Sequence, residues 1–373
     1  MIIAVNTRLL LKDKLEGIGW FTYETLKRIT LSHPEHQFIF FFDRPYHTDF
    51  VFADNVKAVV VNPPARHPVL WFLFFEIGIR IALKKYKADI FVSTDGWLSL
   101  GSKVKSFDVI HDLNFEHYPE FIKPIVRYYY KIFFHRFAEK ASRIATVSEF
   151  TKQDIIQLYG ISQEKIDVVY NGSHELYFPI NEVEKAAIKA KYTDNCEYFI
   201  FIGALHPRKN LTNLFKAFDL YKSENKTTCK LLIVGEKKWW KGEISQTYDN
   251  MRFKDEVIFT GRLNPDELKS VLGSALALTY VSFFEGFGIP IVEAFNAETA
   301  VITSNVTSMP EIAGHAALLV NPFDIKEIAN AMYRIENDND LRLSLIEKGR
   351  IRKTLFSWDK SAIKLWQSIE KIL

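Results

Sequence analysis

A chain of 373 residues is long enough for two domains of ordinary size, each burying its own core. A formal charge of +3 is near balance and carries no field suited to nucleic acid. Two cysteines, Cys196 and Cys229, are too few for a disulfide framework or a cysteine-based metal site and fit a reducing, cytoplasmic compartment.

In chain order, Met1 to Val5 has no basic leader and reads as a first strand, not a signal peptide. The segment Gly17-Ile18-Gly19 then leads into an amphipathic helix, an arrangement that suits a phosphate as well as a purely steric βα turn. Strand-like runs follow at 36–42 and 57–61. The aromatic stretch 68–83 is too short to span a membrane comfortably and carries Glu76 and Arg80 one helical turn apart. After a strand at 88–92, the run 107–113 places His111 and Asp112 at a strand end. Strands alternating with helices predict a mostly parallel sheet covered on both faces, whose ligands lie at the strands' carboxyl ends. Taken alone, His111 suits a hydrogen-bonding role, and Asp112 either orients its ring or starts the next turn. Residues 120–143 form a helical region in which Lys123, Arg127, Lys131, Arg136, Lys140 and Arg143 interleave with Tyr128, Tyr129, Tyr130, Phe133, Phe134 and Phe137. Such a helix either lies on anionic lipid or is half-buried with snorkelling cations.

From 173 to 194 the strand pattern lapses, which places the interdomain connection there. Tyr198 to Gly203 opens a second domain and runs into His206-Pro207-Arg208-Lys209-Asn210, where two cations after a strand and a glycine suit a diphosphate clamp. Strands at 231–235 and 257–261 bring Gly235 and Arg262 to the loops at their carboxyl ends. A buried run, 274–281, then precedes Phe284-Glu285-Gly286-Phe287-Gly288-Ile289-Pro290-Ile291-Val292-Glu293-Ala294, which reads as strand, glycine-rich loop and helix, the helix running from Ile291 to Ala297. Gly286 and Gly288 bare the main chain to a ligand, and Glu285 and Glu293 bracket the loop as two hydroxyl acceptors. Asp338-Asn339-Asp340 has the D-x-D spacing of a metal motif but stands where Asp and Asn cap a helix, and no other cluster has metal-ligand spacing.

The segment 284–294, continued through 302–314 and 319–324, resembles the donor-site signature of the retaining family 4 glycosyltransferases. The resemblance implies the GT-B fold: two Rossmann-like α/β domains facing a central cleft, with a C-terminal helix crossing back. The domains are expected at 1–175, binding the acceptor, and 196–355, binding the nucleotide sugar, with the terminal helix over 356–373. It also implies roles. Gly17 and Gly19 would lie over the donor diphosphate with Arg208 and Lys209, while His111, Glu285 and Gly286-Phe287-Gly288-Ile289 would contact the donor sugar. His111 and Glu285 are then the catalytic pair, Glu293 holds the ribose, and Gly235 and Arg262 border the base. Three positions depart from the family pattern. Ala204 replaces the usual arginine or asparagine, and Glu298 and Ala300 replace a glycine and a proline.

The motifs at 206–210 and 235–239 resemble mannosyltransferases of bacterial surface-polysaccharide assembly. That implies a metal-independent, retaining transfer of mannose from GDP-mannose to a lipid-linked oligosaccharide, with no cofactor, at the inner face of the cytoplasmic membrane. Contact with the membrane would run through 68–83 and 120–143. UDP-sugars remain open as donors. The alternatives are a GT-B sugar-nucleotide epimerase and a catalytically silent sugar-nucleotide-binding membrane subunit.

Overall fold

The computed structural model describes residues 1–373. It divides the chain into two units, Met1–Gly172 with Ser357–Leu373, and Ser173–Phe356.

The first unit is built on a seven-stranded sheet in the order β3-β2-β1-β4-β5-β6-β7. Its strands are β1 (Ile2–Asn6), β2 (Gln37–Phe42), β3 (Val56–Val60), β4 (Ile90–Ser93), β5 (Lys105–Ile110), β6 (Arg143–Thr146) and β7 (Ile166–Val168). All pairs are parallel, and Ala4 lies opposite Ile39 on one side and Phe91 on the other. Helices cover both faces, which is why Phe38 to Phe42 is an unbroken buried run and not an alternating one.

The aromatic stretch 68–83 forms one continuous helical path, Pro68–Leu73, a π-helical segment Phe74–Ile79, and Arg80–Lys85. Gly78 sits in the π segment because a Cβ there would lie 2.4 Å from the Asn62 carbonyl oxygen. Glu76 accepts the N–H groups of Leu100 (2.6 Å) and Gly101 (2.8 Å), and so ties this helix to the loop after β4. The basic aromatic region forms the helix Pro124–Lys140, which buries Tyr129, Phe134, Phe137 and Ala138 and leaves Lys123, Arg127, Lys131 and Arg136 in solvent.

The second unit has a six-stranded parallel sheet in the order β10-β9-β8-β11-β12-β13. These strands are β8 (Tyr198–Ile202), β9 (Lys230–Val234), β10 (Val257–Gly261), β11 (Ala277–Tyr280), β12 (Ala300–Ser304) and β13 (Leu318–Val320). Residues 173–194, read as the connection, pack with this unit and contribute the helix Glu182–Thr193, started by a capping box between Asn181 and Glu184.

The terminal helix Trp358–Glu370 packs on the helix Gly17–Ser32 of the first unit, as the GT-B expectation required. Trp366 stacks on His33 with ring centroids 3.9 Å apart, and the Ser361 hydroxyl donates to the Tyr170 carbonyl at 2.5 Å. A Cβ on Gly172 would fall 2.4 Å from the Trp358 nitrogen, so only glycine lets the chain pass there.

In each sheet the strand order reverses once, between β1 and β4 and between β8 and β11. Loops diverge at such a point, and the carboxyl ends there are open to a ligand.

Candidate functional site

In the second unit the reversal is flanked by two loops, 203–210 after β8 and 281–288 after β11. Gly203 and Gly235 have φ of 151° and 155°. A Cβ on Gly235 would stand 1.9 Å from the Gly203 carbonyl oxygen, so the close approach of the two strand ends demands glycine. The N–H of Gly235 donates to the Gly261 carbonyl at 3.0 Å, which aligns the loops after β9 and β10. Arg262, in the last of these loops, is exposed.

Arg208 and Lys209 lie in the single 3-10 turn Pro207–Lys209, capped by His206, whose Nδ1 accepts the Arg208 N–H at 3.2 Å. Asn210 closes the turn with φ of 59° and donates its amide to the carbonyls of Val281 (2.9 Å) and Pro322 (2.7 Å). The turn therefore faces the 281–288 loop. Glu285 meets both cations: Arg208 Nη1 donates to Oε2 at 2.9 Å and Lys209 Nζ to Oε1 at 2.6 Å. Arg208 also donates to the Phe284 carbonyl at 2.5 Å, and Lys209 to the Tyr280 hydroxyl at 2.6 Å. Burial raises the Glu285 carboxyl pKa, but the charges of Arg208 and Lys209 override it and bring it down to about 2. Burial and the Glu285 charge push the Tyr280 phenol well above its ordinary range, so it stays neutral.

The loop is strapped from the segment after β12. The Ser308 hydroxyl donates to the carbonyls of Glu285 (2.8 Å) and Phe287 (3.1 Å), and the Glu285 N–H donates to the Thr307 hydroxyl at 3.2 Å. Gly286 and Phe287 are buried, and the Phe287 ring meets Phe356 edge-on at 5.7 Å. Gly288, with φ of 98°, caps the helix Ile289–Asn296, which begins two residues earlier than expected, with Pro290 at its second position.

Glu293 stands one turn into this helix, apart from the cation pair. Its partner is Tyr177, whose hydroxyl donates to it, and burial pushes the carboxyl up to about 7 despite that bond.

In the first unit, His111 follows β5 directly. Its Nε2–H donates to the Thr94 carbonyl at 2.8 Å and its ring meets Phe21 edge-on at 5.1 Å. Burial lowers its pKa, so the ring is neutral and presents Nδ1 as an acceptor. Asp112 does not orient this ring. Its Oδ1 accepts the Asn114 N–H at 3.0 Å and starts the turn. Gly17 opens the helix Gly17–Ser32, and Glu16, its N-cap, offers no side-chain bond to the first N–H groups. A Cβ on Gly19 would lie 3.1 Å from the Leu9 carbonyl oxygen.

The departure at Glu298 has a local consequence. Glu298, where a glycine was expected, adopts φ of 56° and pairs with Arg350 at 2.6 Å. Asp338 accepts the Leu341 N–H at 2.9 Å as a helix cap. Sequence reasoning assigned no role to Tyr177, Tyr280, Thr307 or Ser308, because each acts through a partner distant in the chain.

Two family models together span most of the chain: "Glycosyltransferase Family 4" matches residues 17–174 and "Glycosyl transferases group 1" matches 183–352. The chain belongs to the family 4 glycosyltransferases. This glycosyltransferase is 27% identical to O-antigen chain mannosyltransferase B of Escherichia coli over 94% of each chain. It is 28% identical to O-antigen chain mannosyltransferase RfbU of Salmonella typhimurium over 77% of this chain and 76% of the relative. In fold, it matches the crystal structure of Anabaena HepE in complex with UDP-glucose with a TM-score of 0.76 and 16% identity over the full length of both chains.

Proposed function

We propose that this glycosyltransferase moves mannose from GDP-mannose to a hydroxyl of a lipid-linked oligosaccharide in surface-polysaccharide synthesis, with retention at the anomeric carbon. One observation carries the reading: Arg208 and Lys209 are fixed by Glu285 beside the Gly286–Gly288 loop, at the reversal of the second sheet. A departing nucleoside diphosphate develops negative charge, and pre-positioned cations stabilise it without reorganising. Two cations against one carboxylate leave a net positive charge for the diphosphate. That supports transfer without a divalent ion or any other cofactor. The N–H groups at Gly17 and Gly19 would add to the diphosphate contacts, and His111 Nδ1 and Glu285 would orient the sugar hydroxyls. Glu293 would hold the ribose, with the base beside Gly235 and Arg262. Attack from the face that the diphosphate leaves, with a phosphate oxygen taking the acceptor proton, needs no protein base.

The mannosyltransferase names of the two relatives support mannose, while the UDP-glucose bound by the structural neighbour keeps a UDP donor as the competing choice. Thermal shifts with GDP-mannose, GDP, UDP-glucose and UDP in EDTA decide between them. The expected result is a shift with the guanine nucleotides alone; a shift confined to the uridine nucleotides would replace the donor, and none at all would remove the donor-site reading.

No helix is long and apolar enough to cross a membrane. A peripheral contact at the inner face of the cytoplasmic membrane is supported by the exposed Ile81 (62%) in the segment 68–83 and, in 120–143, by the exposed Tyr128 (69%) with Lys123, Arg127 and Lys131. Co-sedimentation with anionic but not neutral vesicles, lost in Arg127→Glu/Lys131→Glu, is the expected outcome. Equal pelleting of the double variant would refute it.

A further inference from the structure

The reversal of the first sheet carries a second arginine–carboxylate pair that the donor chemistry above does not use. Arg8 follows β1 and Asp95 follows β4, the two strands at which the order reverses. Arg8 Nε donates to Asp95 Oδ2 at 2.6 Å. Asp95 Oδ1 in turn accepts from Asn6 Nδ2 (2.8 Å) and Ser93 Oγ (3.0 Å). The guanidinium carbon lies 4.6 Å from the Trp97 ring centroid and 5.6 Å from that of Phe75. A guanidinium held on one edge by a carboxylate and boxed by aromatic rings has few other orientations open to it.

Its remaining nitrogens are unused. Only Nε is engaged; Nη1 and Nη2 have no protein partner, and neither do the hydroxyls of Tyr129 and Tyr130. Both tyrosine rings lie against Trp97, with centroids 5.0 and 5.6 Å away. The Arg8 charge acts on both phenols, and those of Asp95 and Asp112 act on Tyr130, so these groups converge at the carboxyl ends of β1, β4 and β5. Arg8 is 9% exposed, and polar groups at the edge of such a site that have no protein partner can take one from a ligand.

Charge selects its class. Arg8 is offset by Asp95, and Asp112 adds a further negative charge, so a phosphate or carboxylate ligand would be repelled. Asp108 is fully buried in β5 with neither carboxylate oxygen bonded to a side chain, and burial and the Asp95 charge raise its pKa. Hydroxyls suit the remaining set, accepting from the guanidinium fork and exchanging bonds with the phenols and Asp112. The half-buried rings of Trp71 and Tyr130 provide apolar surface for the C–H faces of a sugar.

We infer that Arg8 Nη1 and Nη2, with the Tyr130 hydroxyl, form a subsite for a neutral saccharide, the terminal sugar of the glycan acceptor. Asp95 is the positioning residue that aims Arg8. Naming the sugar as acceptor rests on the glycosyl-transfer reading; the subsite itself rests on the Arg8 geometry.

The full-length protein is titrated with methyl α-mannoside, methyl α-glucoside and inorganic phosphate, following tryptophan fluorescence because Trp71 and Trp97 border the site. Parallel thermal shifts with GDP-mannose and UDP-glucose report the donor site. Loss of a charged donor weakens binding about tenfold, so Arg8→Gln should lower glycoside affinity by at least that factor, and Tyr130→Phe by about threefold. Asp95→Asn should weaken glycoside binding while its nucleotide-induced shift stays that of the wild type, which a merely structural role would not produce. Phosphate should neither bind nor compete. Should Arg8→Gln fail to fold, the surface-lying Tyr130→Phe decides. Wild-type protein that binds neither glycoside, binds phosphate more tightly, or keeps its glycoside affinity in Tyr130→Phe would overturn the subsite. If glycosides bind and no nucleotide shifts the wild type, the donor reading falls and the subsite stands.

Discussion

At Glu285, burial and two cations pull in opposite directions, and the cations win. Its folded pKa of about 2 lies below the unfolded value of 4.5, so its contribution to stability is present above pH 4.5 and disappears as the pH falls toward 2. The span corresponds to roughly 3 kcal/mol. Glu285→Gln should flatten that part of the stability–pH curve, cost about 3 kcal/mol at neutral pH by stranding Arg208 and Lys209, and lower kcat on the order of 100-fold. Chemical denaturation across pH 2–7 with a transfer assay checks all three. Glu293 runs the other way. Its folded pKa of about 7 exceeds 4.5, so the stability it contributes is complete below pH 4.5 and is lost as the pH rises through 7. An ionised Glu293 is the better acceptor for ribose hydroxyls, so donor KM should fall as the pH climbs through 7, and Glu293→Gln should abolish that trend. Both glutamates were legible in the sequence as a pair flanking a glycine loop. Their opposite electrostatics were not, because Arg208 and Lys209 reach Glu285 across more than seventy residues and Tyr177 reaches Glu293 across more than a hundred.

Loops at strand ends hold the site by main-chain contacts. Gly235 was read as a base-bordering residue, and the structure gives it a steric duty as well, since its α-carbon passes against the Gly203 carbonyl. Gly235→Ala should therefore lower stability by about 3 kcal/mol or more, seen as a reduced denaturation midpoint even without nucleotide. Ser308 straps the 285–287 loop with two bonds. Ser308→Ala should cost only about 1–2 kcal/mol yet raise donor KM several-fold, because the freed carbonyls let the loop drift. Unchanged donor KM would show that the strap serves folding alone. Strand positions and the Asp338 cap could be read from local pattern, since their chemistry lies within a few residues. The need for glycine at Gly78 in the π-helical segment Phe74–Ile79 could not, because it comes from a close approach to Asn62 in the loop after β3.

Over the whole molecule, the terminal helix is a structural part of the first unit. Trp358, Leu365, Trp366 and Ile369 are buried, and at about 2 kcal/mol for each large apolar side chain their loss would rival the net stability of a domain. Truncation before Ser357 should give insoluble protein, and Trp366→Ala should lose roughly 3–5 kcal/mol; a soluble, folded truncation would show that the first unit stands without it. By itself, the sequence determined the class of fold, the succession of strands and helices, and the family 4 signature with its Arg-Lys pair and two glutamates. Those properties are written in local periodicity and short-range spacing. Only the tertiary structure decided that Glu285 is clamped by both cations, that Asp112 turns the chain and leaves His111 to Thr94, and that Arg8, Asp95 and Tyr130 meet at the reversal of the first sheet. Parallel strands are joined by long crossovers, so residues that share a carboxyl edge lie far apart in the chain, and no local pattern records their meeting.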